Sequence, residues 1–233
     1  MKKLVALLLA TVMVFLLIGC GTSPKEDDVT LGDPAQPANP SEEDPKDDTD
    51  KEEPAQKAEI SRGKIDGAVY TNEYMGFTFT KPDSWVYATD DEIAAAINLG
   101  VEIMLGEDFD KVLENNQTVY DMMVSDLYSR TNINVGYENL AISLATNITV
   151  EQYIEVFKQQ ISNVPGMAYQ FSEDLVKIKL GETEFTRLIC SVEAFGATMT
   201  QAYYFTKIDK FMSSIIVTIP SGYTVQEIEA MFK

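Results

Sequence analysis

The stretch EFTRLICSVE, residues 184–193, places Leu188, Cys190 and Val192 at alternate positions of the chain. A period of two residues is typical of a β-strand. Further strand-like runs lie before and after it, at residues 174–179, 198–206 and 211–219. The connections between these runs are short, and connections that short join only antiparallel neighbours. The C-terminal part of the chain is therefore predicted to form an antiparallel β-meander.

Three helices are predicted because each begins with the same capping motif. The segments TDDE (89–92), TVEQ (149–152) and TVQE (224–227) each fit the capping box, in which two backbone N–H groups are satisfied reciprocally. The first helix should run to about Asn98 and stop near Gly100. Its three initial acids could suggest a metal or catalytic site, but acids in a first turn also complement the helix dipole, and we favour that interpretation.

The second and third helices also show an apolar face. The second helix should therefore lie on a sheet and end before Pro165. Its predicted face comprises Val150, Tyr153, Ile154, Phe157, Ile161 and Val164, and that of the third helix Val225, Ile228, Met231 and Phe232. A shorter helix is predicted at residues 109–115.

Two further strands are predicted between the first two capping boxes, at residues 119–125 and 132–138. Ile133, Val135 and Tyr137 alternate with polar residues, as expected for a sheet with one covered face. Runs of strands separated by helices favour the α+β class over a doubly wound parallel sheet. We therefore predict a single α+β domain, with an antiparallel meander covered by helices.

The start of the domain is the motif YTNEYMGFTFTKPDSW, residues 70–85. Gly76 precedes the alternation of Phe77 and Phe79 with threonines, which predicts two short strands round a turn. Pro82 and the residues after it supply turn chemistry before a third strand at 85–88. A lone tryptophan, Trp85, could stack on a ligand, but beside a hairpin it is more often part of a core.

This motif, followed by helix, strands, helix and a terminal meander, resembles the PsbP-like fold. The resemblance covers about residues 68–233. Proteins of this fold include photosystem II extrinsic subunits, a eukaryotic Ran-binding import factor and many bacterial lipoproteins. The resemblance implies an antiparallel sheet between helices that serves mostly as a binding or assembly accessory. No site residue follows from it, because a fold does not determine function.

The N-terminus has the anatomy of a secretory signal. Two lysines precede an uncharged apolar run at residues 4–18, which is shorter than the ~20 residues of a spanning helix. Its end, LIGC at residues 17–20, resembles the lipobox of bacterial lipoproteins. That resemblance implies cleavage between Gly19 and Cys20 and a diacylglycerol thioether on Cys20. Two acyl chains suffice for stable anchoring, so we expect the protein on the outer, extracytoplasmic face of the cell membrane.

Residues 20–66 form a linker rich in proline and acids and poor in apolar residues. Such a segment buries too little surface to offset its ordering entropy, so it is predicted to be disordered. Some 45 residues of flexible coil reach about 35–40 Å. It is interpreted as a spacer, with an acidic tail that captures cations or a basic partner as the alternative. The predicted organisation is a signal peptide (1–19), this linker from the lipidated cysteine (20–66) and the folded domain (67–233).

Charge and composition exclude several functions. The net charge of −19 disfavours nucleic-acid binding, because phosphates require clustered Lys and Arg. The chain contains no histidine, which removes Ser-His-Asp, Cys-His and HExxH chemistry. With Cys20 lipidated, Cys190 has no partner for a disulfide and should be a small buried hydrophobe. We expect no bound cofactor, metal or catalytic residues.

Three residue pairs also bear on chemistry. Adjacent Met122 and Met123 should point to opposite faces of a strand, so their sulfurs cannot coordinate the same copper ion. Tyr203 and Tyr204 should split likewise, one inward and one outward. Asp121 and Asp126 could serve a glycosidase, although in so acidic a chain such pairs arise by chance.

The sequence thus predicts a membrane-anchored lipoprotein that acts as a non-enzymatic binding or assembly module, with a protein or small-ligand partner that the sequence does not identify. Two alternatives remain open: a carboxylate-dependent hydrolase of the cell envelope, and a purely structural envelope protein.

Overall fold

The computed structural model describes residues 60–97, 109–143, 145–194 and 196–233. The predicted signal peptide, Gly19, Cys20 and the linker up to residue 59 lie outside the described residues. The same holds for Asn98 and Gly100 at the predicted end of the first helix. None of the helices in the described ranges is long and apolar enough to cross a membrane.

The described ranges form eleven strands and four helices. The strands are β1 (Lys64–Asp66), β2 (Val69–Asn72), β3 (Phe77–Thr80), β4 (Trp85–Tyr87), β5 (Thr118–Asp126), β6 (Asn132–Asn139), β7 (Met167–Phe171), β8 (Val176–Leu180), β9 (Thr183–Ala194), β10 (Ala197–Ile208) and β11 (Phe211–Ile219). The helices are α1 (Asp90–Ile97), α2 (Phe109–Asn115), α3 (Val150–Ile161) and α4 (Val225–Glu229).

A large antiparallel sheet contains eight of these strands. Its order is β4-β5-β6-β11-β10-β9-β7, and β8 pairs with another part of β9. The four C-terminal strands β8 to β11 follow one another as antiparallel neighbours, which confirms the predicted meander. The antiparallel, α+β character is therefore confirmed, although the helices contribute less of the structure than the sheet does.

The motif at residues 70–85 forms the predicted hairpin, but it divides between two sheets. Strands β2 and β3 pair with each other and with β1 in a small sheet of three strands. The third predicted strand, β4, leaves this hairpin and pairs with β5, with Trp85 opposite Asp126. The isolated bridge between Phe79 and Phe232 then ties the small sheet to the C-terminus.

The three capping boxes form as predicted. Thr89, Thr149 and Thr224 each accept a hydrogen bond from a backbone N–H three residues on, and each box is closed by a Glu or Gln side chain. In α3 the buried face consists of Tyr153, Ile154, Phe157 and Ile161, close to the prediction. Helix α4 is shorter than predicted, because it ends at Glu229 and Phe232 lies in the bridge to β3.

The centre of the large sheet is buried on both faces. On one face the sheet packs against the small sheet and α4, and on the other against α3. The prediction that β6 has one covered face is therefore wrong, since Asn134 and Glu138 are buried as well as the apolar residues between them. For the same reason Tyr203 and Tyr204 point to opposite faces but both are buried, and the prediction of one outward ring is wrong.

Two strands were not predicted. Residues 64–66, predicted to lie in the linker, form β1, whose three residues are all exposed and so show no burial period. Strand β7 follows the turn at Gly166 and has a readable alternation, with Met167, Tyr169 and Phe171 half-buried and the residues between them exposed.

Candidate functional site

The most exposed large apolar side chains of the described residues lie on the connection between β5 and β6, residues 126–131, which we call the Tyr128 loop. Tyr128 is 85% exposed and Leu127 is 59% exposed. Val86, 49% exposed, lies on the neighbouring strand β4, where it pairs with Ser125. Single exposed apolar residues are common, but an adjacent Leu and Tyr at a loop tip form a candidate recognition surface.

Asp126 holds the backbone of this loop in place. Its carboxylate accepts hydrogen bonds from the N–H groups of Tyr128 at 3.4 Å and Ser129 at 2.9 Å. Its backbone N–H donates to the Thr131 carbonyl at 2.8 Å, and its carbonyl accepts from the N–H of Arg130 at 3.1 Å. Arg130 adopts a positive φ of 63°, which closes the turn. The loop therefore presents Tyr128 from a fixed backbone.

The pKa of Asp126 is lowered from its ordinary value. Burial raises this pKa, but hydrogen bonds from Ser129, Ser84 and the N–H of Tyr128 act in the opposite direction and outweigh it. The carboxylate is consequently ionised at neutral pH, and an ionised acceptor forms stronger hydrogen bonds with N–H donors.

A second loop, between β11 and α4, packs against the Tyr128 loop. The Thr131 hydroxyl donates to the Ser221 carbonyl at 3.3 Å. Gly222 has a φ of +84°, and a Cβ at this position would lie 3.2 Å from the Cβ of Ser129, so glycine suits both the backbone and the contact. Trp85 lies buried beneath, where its indole N–H donates to the Tyr223 hydroxyl at 3.0 Å. This confirms the prediction that Trp85 belongs to the core.

A second candidate is the buried polar cluster around Asp121. A β-bulge between Tyr120 and Met122 makes Asp121 an extra residue in β5, and bulges commonly redirect a side chain. The Asp121 carboxylate accepts hydrogen bonds from the Tyr70 hydroxyl and, at 2.9 Å, from the Asn72 amide.

The remaining contacts of Asp121 close the cluster. The Gly63 N–H donates to both carboxylate oxygens, and the Arg62 Nε lies 3.8 Å away. The Asn72 amide also lies 2.6 Å from the Tyr137 hydroxyl. Within the cluster the side chains of Tyr70, Asn72, Asp121 and Tyr137 are buried, whereas Arg62 is partly exposed.

Electrostatics of the cluster agree with a structural role. Burial raises the pKa of Asp121, against hydrogen bonds and Arg62, which lower it. Burial also raises the pKa values of Tyr70 and Tyr137 well above their ordinary range. Because Asp121, Tyr70 and Tyr137 are each at most 2% exposed, a substrate has no access to the carboxylate. The cluster fastens the N-terminal end of the domain to the large sheet.

The structure does not bring the proposed carboxylate pair together. Asp121 and Asp126 lie five residues apart on β5, which corresponds to about 15 Å along a strand. Glycosidase carboxylates lie roughly 5 to 9.5 Å apart. The acids at the start of α1 also have a local role: Asp90 pairs with Arg62, and Glu92 closes the capping box.

Two cavities of the described structure are each lined by one acidic residue. An open groove of about 570 Å³ lies beside the β9–β10 turn, and its acid is Glu193. A cavity of about 30 Å³ lies under α3, and its acid is Glu138, which accepts a hydrogen bond from Tyr153. In the described ranges, no three Cys, Asp or Glu side chains group closely enough to hold a metal ion.

Cysteine and methionine residues lie as predicted. Cys190 is buried, and burial raises the pKa of its thiol to about 12, so it remains protonated at neutral pH. Met122 and Met123 pack into two different apolar clusters, which confirms that they point to opposite faces. Cys20, the predicted lipidation residue, and Gly19, the predicted cleavage residue, lie outside the described part of the chain.

Comparison with known proteins gives likeness at the level of structure. No protein-family model matches the chain, and no curated protein matches its sequence. The solution structure of cyanobacterial PsbP (CyanoP) from Synechocystis sp. PCC 6803 is similar with a TM-score of 0.45 and 11% identity, over 78% of this chain and 98% of that one.

A crystal structure from Bacteroides thetaiotaomicron VPI-5482 is similar with a TM-score of 0.37 and 12% identity. The match covers 68% of this chain and 44% of that chain, so this chain spans less than half the length of that protein.

The Tyr128 loop was not predicted as a site. The sequence DLYSRT at residues 126–131 joins two predicted strands, and its Leu and Tyr could equally have continued a strand. The available signal was Asp126 with Ser129, since Asp and Ser side chains bind backbone N–H groups in turns. Exposure of Tyr128 becomes visible only when the strands on either side are in place.

Proposed function

We propose that this protein is a lipid-anchored, extracytoplasmic, non-enzymatic module that binds a protein partner through the Tyr128 loop. The observation that carries the proposal is the 85% exposure of Tyr128 on a backbone fixed by Asp126. A tyrosine on a fixed backbone has only two side-chain torsion angles to restrict on binding, so it loses little conformational entropy, and Tyr is frequent among energetically dominant interface residues.

The composition of the loop tip suits a protein partner. Leu127 and Tyr128 offer apolar area, and Arg130 is exposed at the rim. Tyr and Arg are enriched at protein interfaces. The negative net charge of the chain disfavours nucleic acid and anionic lipid surfaces as the occupant of this site.

The place of action follows from the N-terminal sequence. In this proposal Cys20 carries the acyl chains, and the linker lets the domain search a shell of about 35–40 Å above the membrane. Tethering raises the effective concentration of the domain towards other proteins of the same surface.

Site-specific photo-crosslinking in living bacterial cells tests the proposal. We replace Tyr128 with p-benzoylphenylalanine in the full chain, irradiate, and identify the crosslinked protein by mass spectrometry. The matched control carries the same amino acid at Val176, an exposed position on β8. We expect one extracytoplasmic protein to crosslink from position 128 and not from 176.

The crosslink is then checked with Leu127→Ser in the chain that carries the probe. Loss of the crosslink with unchanged cellular abundance supports binding by the loop. Crosslinks that are identical from positions 128 and 176, confined to cytoplasmic proteins, or unaffected by Leu127→Ser would overturn the proposal.

A further inference from the structure

The edge of the large sheet formed by β7 differs from the other free edges of the described structure. Strand β7 has the sequence MAYQF, with no charged residue and no proline. Natural proteins protect free edges with lysine, proline, bulges or short strands, because an unprotected edge pairs with other strands. The edge of β7 has none of these protections over five residues.

The other edges show such protection. Strand β8 carries Lys177 and Lys179 on exposed positions. Strand β1 has Lys64 and Asp66, and β4 is only three residues long. The outer edge of β3 is covered, because Thr78 exchanges backbone hydrogen bonds with the C-terminal residue.

The hydrogen-bond phase of β7 shows which backbone groups face outward. The Ser172 N–H donates to the Ile189 carbonyl at 2.8 Å, directly after the pair Phe171 and Cys190. Hydrogen-bonded and non-hydrogen-bonded pairs alternate in an antiparallel ladder. The N–H and C=O groups of Tyr169 and Phe171 therefore point away from β9, towards the free edge.

The side chains of the same residues supply an apolar surface at this edge. The rings of Tyr169 and Phe171 stack with centroids 6.0 Å apart and an interplanar angle of 9°, and both are half-buried. The Tyr169 hydroxyl lies 3.4 Å from the Met167 sulfur. Aromatic and β-branched side chains on a paired strand would pack against these rings.

Charges around the edge are mostly negative. Glu173 and Asp174 are exposed directly after β7, and exposed Glu193 lies opposite Ala168 and lines the 570 Å³ groove at its start. Lys158 of α3 lies 5.9 Å from the Phe171 ring, but it also pairs with Glu155.

We infer that β7 is a β-augmentation site for an extended peptide segment of a partner, with β-branched or aromatic residues at alternate positions and Lys or Arg at its ends. The outward groups of Tyr169 and Phe171 supply the backbone hydrogen bonds, and the stacked rings select the apolar residues. The flanking acids select the basic ends.

A second copy of this chain fits the same edge poorly. Antiparallel pairing of two β7 strands would place Glu173 and Asp174 of one copy at the same end of the pair as Glu193 of the other. Like charges in such positions disfavour the pair. The site is separate from the Tyr128 loop, so neither test bears on the other.

The test uses the full chain in lipid nanodiscs and a fluorescein-labelled peptide, Lys-Val-Thr-Val-Thr-Val-Lys, with blocked ends. Fluorescence anisotropy measures binding, and hydrogen exchange of backbone amides locates it. We expect the Tyr169 and Phe171 amides to gain protection. A peptide with Glu in place of both Lys should bind at least tenfold more weakly.

Gln170→Lys tests the edge without touching the half-buried side chains, since Gln170 is exposed. It should weaken binding of the basic peptide at least tenfold, whereas Val176→Lys on β8 should leave the affinity unchanged. Circular dichroism checks that both variants fold.

Three results would overturn the inference. One is the absence of binding at about 1 mM peptide, because a dissociation constant of about 1 mM is the weakest affinity that we count as a binding site. Another is protection confined to other strands. The third is a dimer in sedimentation experiments that Gln170→Lys dissociates, which would make a second copy the occupant.

Discussion

The backbone N–H of Gly63 donates to both carboxylate oxygens of Asp121, at 3.1 and 3.0 Å. This contact joins the first described residues of the domain to a bulge in the large sheet, 58 residues further along the chain. Gly63 directly precedes β1, whose three residues pair with β2 although all three are exposed. The domain is thus closed at its N-terminal end by a buried carboxylate, together with Ile60, which packs partly buried against the apolar core.

Gly63→Ala should destabilise the domain by about 2 kcal/mol, the usual cost of overpacking. A Cβ at this position would lie 2.3 Å from the Tyr70 ring, which is buried and hydrogen-bonded and cannot move aside. Urea unfolding of the full chain measures the loss.

Gly67→Ala is the matched control for this prediction. A Cβ there meets nothing within 4 Å, but φ is +56°, so the cost should be about 1 kcal/mol from backbone strain alone. Equal losses at positions 63 and 67 would contradict the steric explanation.

Arg62→Ala should lower the free energy of unfolding at pH 7 by about 1 kcal/mol, because the pair with Asp90 is partly exposed. The hydrogen bond from Arg62 lowers the pKa of Asp90. A lowered pKa contributes stability above the unfolded value of about 3.9, and this stability is lost as the pH falls through the folded value. Protonation of Asp121 weakens its attraction to Arg62 in the same direction.

The destabilisation by Arg62→Ala should therefore shrink as the pH falls below about 4. Urea unfolding at a series of pH values checks this. Lys64→Ala, at an exposed neighbouring position, should change stability by less than about 0.5 kcal/mol at every pH. A loss with Arg62→Ala that is constant with pH would show that the ion pair is not its source.

Cys20→Ala should release the protein from the membrane or stall its processing, because the lipobox chemistry requires a thiol. Membrane fractionation and metabolic labelling with a fatty acid measure the two effects. Cys190→Ala is the control, since that thiol is buried, and it should leave both measurements unchanged. Unaltered acylation of Cys20→Ala would refute the lipoprotein interpretation.

The sequence predicted the structure correctly where a simple local pattern, such as a two-residue alternation of apolar side chains, decides which residues are buried. Leu188, Cys190 and Val192 are buried as their alternation predicts, and the capping boxes begin the helices at the predicted threonines. The pattern was misleading where the sheet is covered twice, because Tyr203 and Tyr204 then lie in separate cores.

Long-range pairing explains what the sequence did not predict. The bulge at Asp121 depends on the register between β5 and β6, which no local pattern in β5 encodes. Strand β1 consists of three exposed residues and forms only through its pairing with β2. The exposure of Tyr128 depends on where two strands end, so the candidate site was the least predictable part of the molecule.

Asp126→Ala should release the Tyr128 loop. It removes an ionised acceptor from the N–H groups of Tyr128 and Ser129, and loss of such a local cap typically costs about 1 kcal/mol. Backbone hydrogen exchange should accelerate at these two amides, while amides of β9 remain protected. Asp83→Ala, at an exposed acid of the neighbouring β3–β4 connection, is the control and should leave the exchange of the loop unchanged.

Because the hydrogen bonds depress the pKa of Asp126 despite burial, their stabilising effect is present above the unfolded value of about 3.9 and is lost as the pH falls below it. Wild-type exchange at Tyr128, corrected for the intrinsic pH dependence, should therefore approach that of Asp126→Ala in acid; equal exchange in both proteins at neutral pH would show that Asp126 does not hold the loop.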